Sequence, residues 1–433
     1  MKIKFLFIFI ILSFPVFSQT EDSLEFLLDF SADNLSVSEQ RDDSEVMDYY
    51  ESLIANPVNI NTADEEQLLS IPFITPAEAK SIVGFRNLHG PFFSKAELYI
   101  IKDIPEEKLK RILPFVTHSI QQDKHTPGQL KSNLISRLRK KNLKYENNTA
   151  ALNNYNSLRI NYNDKIIAGF STEKDDGEIS YIDFYSGYVH LKDFYSFSSI
   201  VVGDFYIEEG EGLLLWSTGG IPKNSEVTNS VKKRRRGIVP KTGKNEMDFF
   251  RGAAIEKEIN NLKFTGFFSY RYLDAAIDSS GNISRFIKDG YHRSITEIER
   301  KNSASVKTGG GTVLFSKEYI NFGLNYYYSE FDRNFSGNRS KNGLSVSGSI
   351  IYDNISFFGE AAFINFSYAL ITGIHLFPSD GIEFITSYRN YSPDYMNMYG
   401  HGFAEKNGAT QNESGVYTGL KIKIPFANIG FYF

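Results

Sequence analysis

Two hydrophobic rhythms run along the chain, one helical and one of period two, and they meet between residues 118 and 130. From 57 to 118, helix start signals return at short intervals. Thr62 with Glu65, Thr75 with Glu78 and Ser94 with Glu97 each set a hydroxyl three residues before a carboxylate, the pattern of a reciprocal N-terminal cap. Pro76 and Pro105 stand where a first helical turn tolerates proline, and Gly90 stops the second helix. The spacing predicts four short helices, over 63–70, 76–88, 95–101 and 105–113. Their shared core is expected from Leu68, Leu69, Ile71, Ile74, Ala79, Ile82, Val83, Phe92, Leu98, Ile101, Ile104, Leu109, Ile112 and Phe115.

From about residue 130 the rhythm changes to strict alternation. Between 262 and 272 one face reads Leu262, Phe264, Gly266, Phe268, Tyr270 and Tyr272, and the other Lys263, Thr265, Phe267, Ser269 and Arg271. Ile320, Phe322, Leu324, Tyr326 and Tyr328 alternate with Asn321, Gly323, Asn325, Tyr327 and Ser329, and Leu420, Ile422 and Ile424 with Lys421 and Lys423. Runs of this length, roughly fourteen to sixteen of them, match strands tilted across a bilayer. A secreted β-sandwich also alternates. Polar faces rich in Lys, Arg, Ser and Asn fit a wet lumen, and Tyr and Phe at strand ends fit interfacial girdles. The end, Ile429-Gly430-Phe431-Tyr432-Phe433, is similar to the aromatic C-terminal strand recognised by outer-membrane assembly machinery. The fold class expected is α+β multidomain: a small all-α helix-hairpin-helix domain followed by a large antiparallel transmembrane β-barrel, residues 130–433.

The beginning of the chain changes the picture by placing it outside the cytoplasm. Lys2 and Lys4 precede the apolar run Phe5 to Leu12 and then Val16-Phe17-Ser18, which reads as a signal peptide over 1–18 with the mature chain starting at Gln19. That run is too short to span a bilayer, and no later stretch offers a transmembrane helix. Residues 19–56 hold eleven acidic residues and one basic residue, Arg41, as a solvated linker does. Cysteine is absent, so there is no disulfide framework and no thiolate metal site. The net charge of -5 argues for no nucleic-acid partner, whereas 26 Tyr and 37 Phe against one Trp set the composition apart.

Residues 57–118 resemble the tandem helix-hairpin-helix domain of bacterial competence DNA receptors. Asn59-Ile60-Asn61-Thr62-Ala63 matches its opening, Ile71-Pro72 and Ile74 the hairpin, Ala79, Ile82 and Arg86 the second helix, and Gly90-Pro91-Phe92 the exit. The resemblance implies DNA phosphate contacts, with Thr75, Lys80, Arg86, Lys108, Lys110 and Arg111 as candidates. Three features speak against them. Phe73 and Thr75 occupy the hairpin glycine positions, Asp103 replaces the glycine of the second hairpin, and seven Lys or Arg face eight Asp or Glu in this segment. Affinity for DNA comes largely from neutralised phosphates, so a near-neutral module reads better as a docking or structural unit.

The layout of signal, helix-hairpin-helix domain and barrel resembles a group of Bacteroidota outer-membrane proteins named for that motif. The stretches that carry the likeness are Ser171 to Glu178, Val202-Gly203-Asp204-Phe205 through Gly210-Glu211-Gly212-Leu213, and Asn412 to Leu420. Members of that group often continue past a Phe-Tyr-like strand, so the chain is expected to be a shortened or fragmentary version.

Little in the sequence points to catalysis or cofactors. The seven histidines, His89, His118, His125, His190, His292, His375 and His401, form no i,i+4 pair, so no metal site is expected. Glu173 to Glu178 lacks the ligand spacing of a calcium loop and reads as an acidic turn. Lys232, Lys233, Arg234, Arg235 and Arg236 form the densest charge run, in a segment, 217–249, rich in Gly, Pro, Asn and Ser. The bland reading is a solvated loop; the functional one is a loop, folded into the lumen or facing outward, that attracts anions. The expectation is a non-enzymatic outer-membrane barrel in contact with membrane lipid, without cofactors. Its helix-hairpin-helix module lies in the periplasm and recruits a protein partner there. DNA uptake and a lipid hydrolase are the alternatives.

Overall fold

In the computed structural model the described residues are 53–54, 57–118 without 64, 70, 72 and 73, and 130–433 without 145–149, 218–226, 228–230, 242, 244, 318, 353, 380–381, 406–409 and 425–426. The expected signal, nearly all of the acidic stretch, and Phe73 fall outside them.

The small module has the helices its capping signals predict: Glu65–Leu69, Pro76–His89, a 3-10 turn Lys95–Ile100, and Glu106–Ile112. Thr75 and Glu78 cap the second helix reciprocally, and Gly90, at φ 90°, ends it in a backbone region that only glycine adopts freely. The cap predicted at Ser94 differs, since Ser94 accepts from the backbone of Ala96 and Glu97 from that of Phe93, and Pro105 sits at the N-cap rather than inside the first turn. Leu68, Ile71, Ile74, Ala79, Ile82, Phe92, Leu98 and Ile112 are buried as expected, whereas Leu69 and Val83 stay partly exposed. Val58–Asn59 pairs in parallel with Val116–Thr117 and brings the module's two ends together.

Among the described residues, eighteen strands between Leu130 and Tyr432 are arranged as a barrel. Three of them, Gly237–Pro240, Ala275–Ile277 and Ile283–Phe286, are short pieces within connections; the other fifteen form the antiparallel wall, within the range the alternation predicts. The burial pattern decides between membrane barrel and soluble sandwich. Over residues 320–329 of the strand Ile320–Phe335 the exposed positions are Ile320, Phe322, Leu324, Tyr326 and Tyr328, while the buried ones include Asn325 and Ser329. Phe264, Phe268, Tyr270 and Tyr272 face out from Leu262–Leu273, and Thr265, Ser269 and Arg271 face in. Apolar outside and polar inside is the reverse of a soluble domain and is what a lipid solvent requires. This is the fold of an outer-membrane β-barrel.

The connections at the two ends of the wall differ. Next to the start of Leu130–Lys144, each connection has two or three residues, such as 163–165 after Tyr162 and 260–261 after Ile259. Asn163 and Asp164, both at positive φ, make the tight turn that suits a hairpin. All the long connections, 175–183, 209–249, 274–303 and 392–412, lie at the opposite end.

Two of those long connections turn inward. Leu213, Leu214 and Leu215 are fully buried, in one cluster with Tyr327, Phe358, Ile371 and Ile385 of the wall and with Tyr395, Tyr399 and Phe403 of the segment after Tyr391. The lumen is therefore packed with side chains at this level. Burial on this scale exchanges solvated loop for core, which stabilises by roughly 1.5–3 kcal/mol per large apolar side chain.

Candidate functional site

The inward turn begins where the strand Phe197–Glu208 runs out. Phe205 is the last residue paired with the wall strand Phe250–Ile259, and Phe205 to Glu208 pair with Gly237–Pro240. Beyond it the backbone amides of Glu211 and Leu213 donate to Glu360 Oε2, at 2.8 and 2.9 Å. Glu360 stands on the wall strand Ile355–Ile364, so one buried carboxylate pins the loop to the far side of the lumen. Asn397 Nδ2 donates to the carbonyls of Leu213 and Leu214, and the Tyr395 hydroxyl to that of Leu213. These contacts meet the backbone polar groups that the turn would otherwise bury unpaired.

The basic segment lies inside this assembly, which corrects the reading of it as a solvated loop. Arg236 forms a two-pronged pair with Glu208, Nε to Oε2 and Nη2 to Oε1, both at 2.6 Å. Arg235 donates to the Ser316 hydroxyl beside the short turn after Lys317, and the Lys233 ammonium lies 5.4 Å from the centre of the Trp216 ring. Arg234 reaches out of the barrel to the module: its guanidinium donates to the carbonyls of Ile71 and Ile74, the latter at 2.9 Å. All five cations, 232 to 236, are half-buried. Here the surrounding carbonyls, hydroxyls and Glu208 come from segments far away in sequence.

The candidate phosphate contacts do not gather into one surface. Thr75 is occupied as a helix cap, and Arg86 donates to the carbonyls of Ile60 and Ala63, tying the second helix to the opening strand. Lys108 pairs with Glu78; burial lowers its pKa, against the pull of that carboxylate. Asp103 accepts from the Ser81 hydroxyl. Lys80, Lys110 and Arg111 remain at the surface, with Glu106 beside Lys110. Asn61 serves structure too, donating to the carbonyls of Phe92 and His118 and accepting from the amide of Phe92.

At the other end of the barrel the long connections converge on His292, a grouping that sequence reasoning missed. Its Nε2 stands 2.6 Å from Asp274 Oδ2, its Nδ1 bonds Asp183, and its backbone amide donates to Glu178 Oε1 at 3.1 Å. Lys301 joins Asp183 at 2.6 Å. Burial disfavours the imidazolium, yet the bonds to Asp183 and Asp274 overcome it and hold the pKa up at about 10. Burial, then the charge of Asp183, pushes Glu178 up to about 7 and Glu246 to about 9. Glu178, Asp183 and His292, and likewise Glu246, Asp274 and His292, bring ligand atoms within 4.8 Å of one another, a spacing that suits a metal ion. With a carboxylate hydrogen-bonded to each ring nitrogen, His292 links the connections as an ionic latch. Asp274 lies 18 residues from His292, but Asp183 and Glu178 lie 109 and 114 away, beyond the reach of any local motif.

A family model described as "Helix-hairpin-helix motif" matches residues 54–117. Over 63 residues the chain is 46% identical to "Endonuclease/exonuclease/phosphatase family domain-containing protein 1" of Danio rerio, covering 14% of this chain and 12% of that protein. The Homo sapiens protein of the same name is 32% identical over 81 residues, 18% of this chain and 14% of its own length. The chain thus spans a small fraction of these relatives. Among solved structures, the "Anion-selective porin from Comamonas acidovorans" aligns over 70% of this chain and 89% of its own, at 11% identity and a TM-score of 0.33. OccK11 (OpdR) of Pseudomonas aeruginosa aligns over 68% and 72%, at 8% identity and a TM-score of 0.32.

Proposed function

We propose that this chain is a non-enzymatic outer-membrane barrel, occluded from within, whose helix-hairpin-helix module sits at the periplasmic mouth as a docking platform for a periplasmic protein. The observation that carries the reading is the contact of Arg234 with the Ile71 and Ile74 carbonyls. It joins the lumen-filling loop to the module, so a partner that engages the module acts on the occlusion. The connections support this orientation: outer-membrane barrels keep short turns on the periplasmic side, and the short turns here share the end at which Leu130–Lys144 starts. In the packed lumen Glu360, Asn397 and Tyr395 hold the loop through hydrogen bonds, which is the construction of a gate rather than of an open pore.

Conductance of the purified full chain in planar bilayers tests this. The wild type is expected to pass little current, and Asn397→Ala combined with Tyr395→Phe, which removes three of the loop's anchors, is expected to raise the open fraction. Steady large conductance by the wild type would sink the reading.

The family match favours one second reading, nucleic-acid binding by the module, with Lys80, Lys110 and Arg111 as its exposed cations. Fluorescence anisotropy of duplex DNA with the full chain in detergent, at about 50 and 200 mM salt, separates the two, because phosphate contacts weaken steeply over that range.

A further inference from the structure

The basic segment lines one side of a cleft of about 80 Å³ between the lumen loop, the wall and the module. Lys232, Lys233, Arg234 and Arg235 border it, and Leu69 of the module reaches its edge. On the wall side stand Ser356 and His375, which face each other across the paired strands Ile355–Ile364 and Ser367–Ser379. Both are buried, at 3% and 5% exposure, and neither Ser356 Oγ nor His375 Nε2 has a hydrogen-bond partner among the described residues. Glu383 Oε2 stands 3.5 Å from Nε2, without the geometry of a bond.

Buried polar atoms left unmet are costly and rare, so two of them side by side in one cleft need an occupant. A hydroxyl and a ring nitrogen opposite lysine and arginine side chains form a donor set for an oxyanion. Glu211 also borders the cleft, but its Oε2 is engaged by the backbone amide of Lys233. Leu314, Ile351 and Phe377 add an apolar wall, which suits an organic body attached to the charge.

We propose that this cleft binds a small soluble organic phosphate, its oxygens accepting from Ser356 and His375 and its charge met by Lys232 and its neighbours. The site lies against the module, so its occupant touches both halves of the protein. The inference rests on the position of the loop inside the barrel and not on which partner the module recruits.

Isothermal titration calorimetry on the full chain in detergent tests it, with glycerol phosphate as the probe and sodium chloride at matched ionic strength as the control. Saturable binding is expected, weakened roughly tenfold by Ser356→Ala and by His375→Phe, as loss of a bond to a charged group implies. Ser356→Thr, which keeps the hydroxyl, is expected to retain binding. Thermal unfolding of Ser356→Ala in the absence of phosphate checks that the fold survives, and loss of an unpartnered hydroxyl should leave it unchanged or higher. No saturable heat, equal heat from chloride, or undiminished binding by both folded variants would each overturn the proposal. The conductance experiment has an independent readout, so failure here leaves the occluded-barrel reading standing or falling on its own.

Discussion

The Arg234 guanidinium donates across 2.9 Å to the carbonyl of Ile74, joining residues 160 positions apart in the chain. It bonds the Ile71 carbonyl with its other terminal nitrogen, so one planar fork spans both ends of the module's hairpin. A hydrogen bond from a charged donor contributes about 1.5–3 kcal/mol, and two that share one side chain do not add fully. Arg234→Ala is expected to loosen the module and to raise its cleavage rate in limited proteolysis of the full chain by roughly tenfold or more. Arg234→Lys, a point charge without the fork, should recover only part of that protection. Equal cleavage of all three proteins would show that the contact holds nothing.

Inside the lumen, Arg236 and Glu208 form a two-pronged ion pair, with the Glu208 carboxylate wholly inaccessible to solvent. Removing one partner leaves a buried charge uncompensated, which costs about 3–5 kcal/mol. Replacing both by apolar groups can be nearly neutral. Arg236→Met is therefore expected to lower the midpoint of urea unfolding markedly, and the double variant with Glu208→Leu to restore most of it. Equal loss in the single and double variants would mean that the pair is not coupled.

Much of this architecture is legible in the sequence, and the reason is locality. The cap formed by Thr75 and Glu78, the stop at Gly90 and the alternation from Ile320 to Tyr328 each depend on residues within one turn or one strand. The lumen loop is not legible, because what draws it inward is remote: Glu360 lies 149 residues from Glu211, and Asn397 lies 184 from Leu213. Glu360 reads from sequence as one more inward polar residue on an alternating strand. The cations at 232 to 236 read as solvated for the same reason, since their acceptors come from other elements. His292 belongs with them, being a lone histidine until the fold supplies its carboxylates.

One glycine in the stretch 202–213 carries a sharp constraint. Gly203 has φ +114°, and a Cβ there would stand 2.2 Å from the carbonyl oxygen of Gly187 on the neighbouring strand. Both strain and clash oppose any side chain, and the clash is with backbone, which cannot give way. Gly203→Ala is expected to prevent assembly of the folded barrel, read as loss of the heat-modifiable band on a gel. Gly84→Ala, where a Cβ would meet nothing within 4 Å on an exposed helix face, is the control and should be neutral or slightly stabilising.

The latch around His292 makes stability depend on pH in a defined direction. The folded pKa of His292 is raised from 6.5 to about 10, so its contribution is fully present below pH 6.5 and is lost as pH rises through 10. Glu178 and Glu246, raised to about 7 and about 9, act in the same sense: both are neutral in the fold at low pH, and ionising them beside Asp183 costs stability as pH climbs. Lys301 also pairs with Asp183, at 2.6 Å. The connections 175–183 and 274–303 should therefore be well protected at about pH 6 and open progressively toward pH 10. Hydrogen exchange of those segments, compared with the wall strand Ile320–Phe335 as an internal reference, measures the effect. His292→Ala takes away the one cation that both Asp183 and Asp274 share and should leave those connections exposed already at pH 6. Wild-type protection that stays flat from pH 6 to pH 10 would mean that the cluster does not hold the connections.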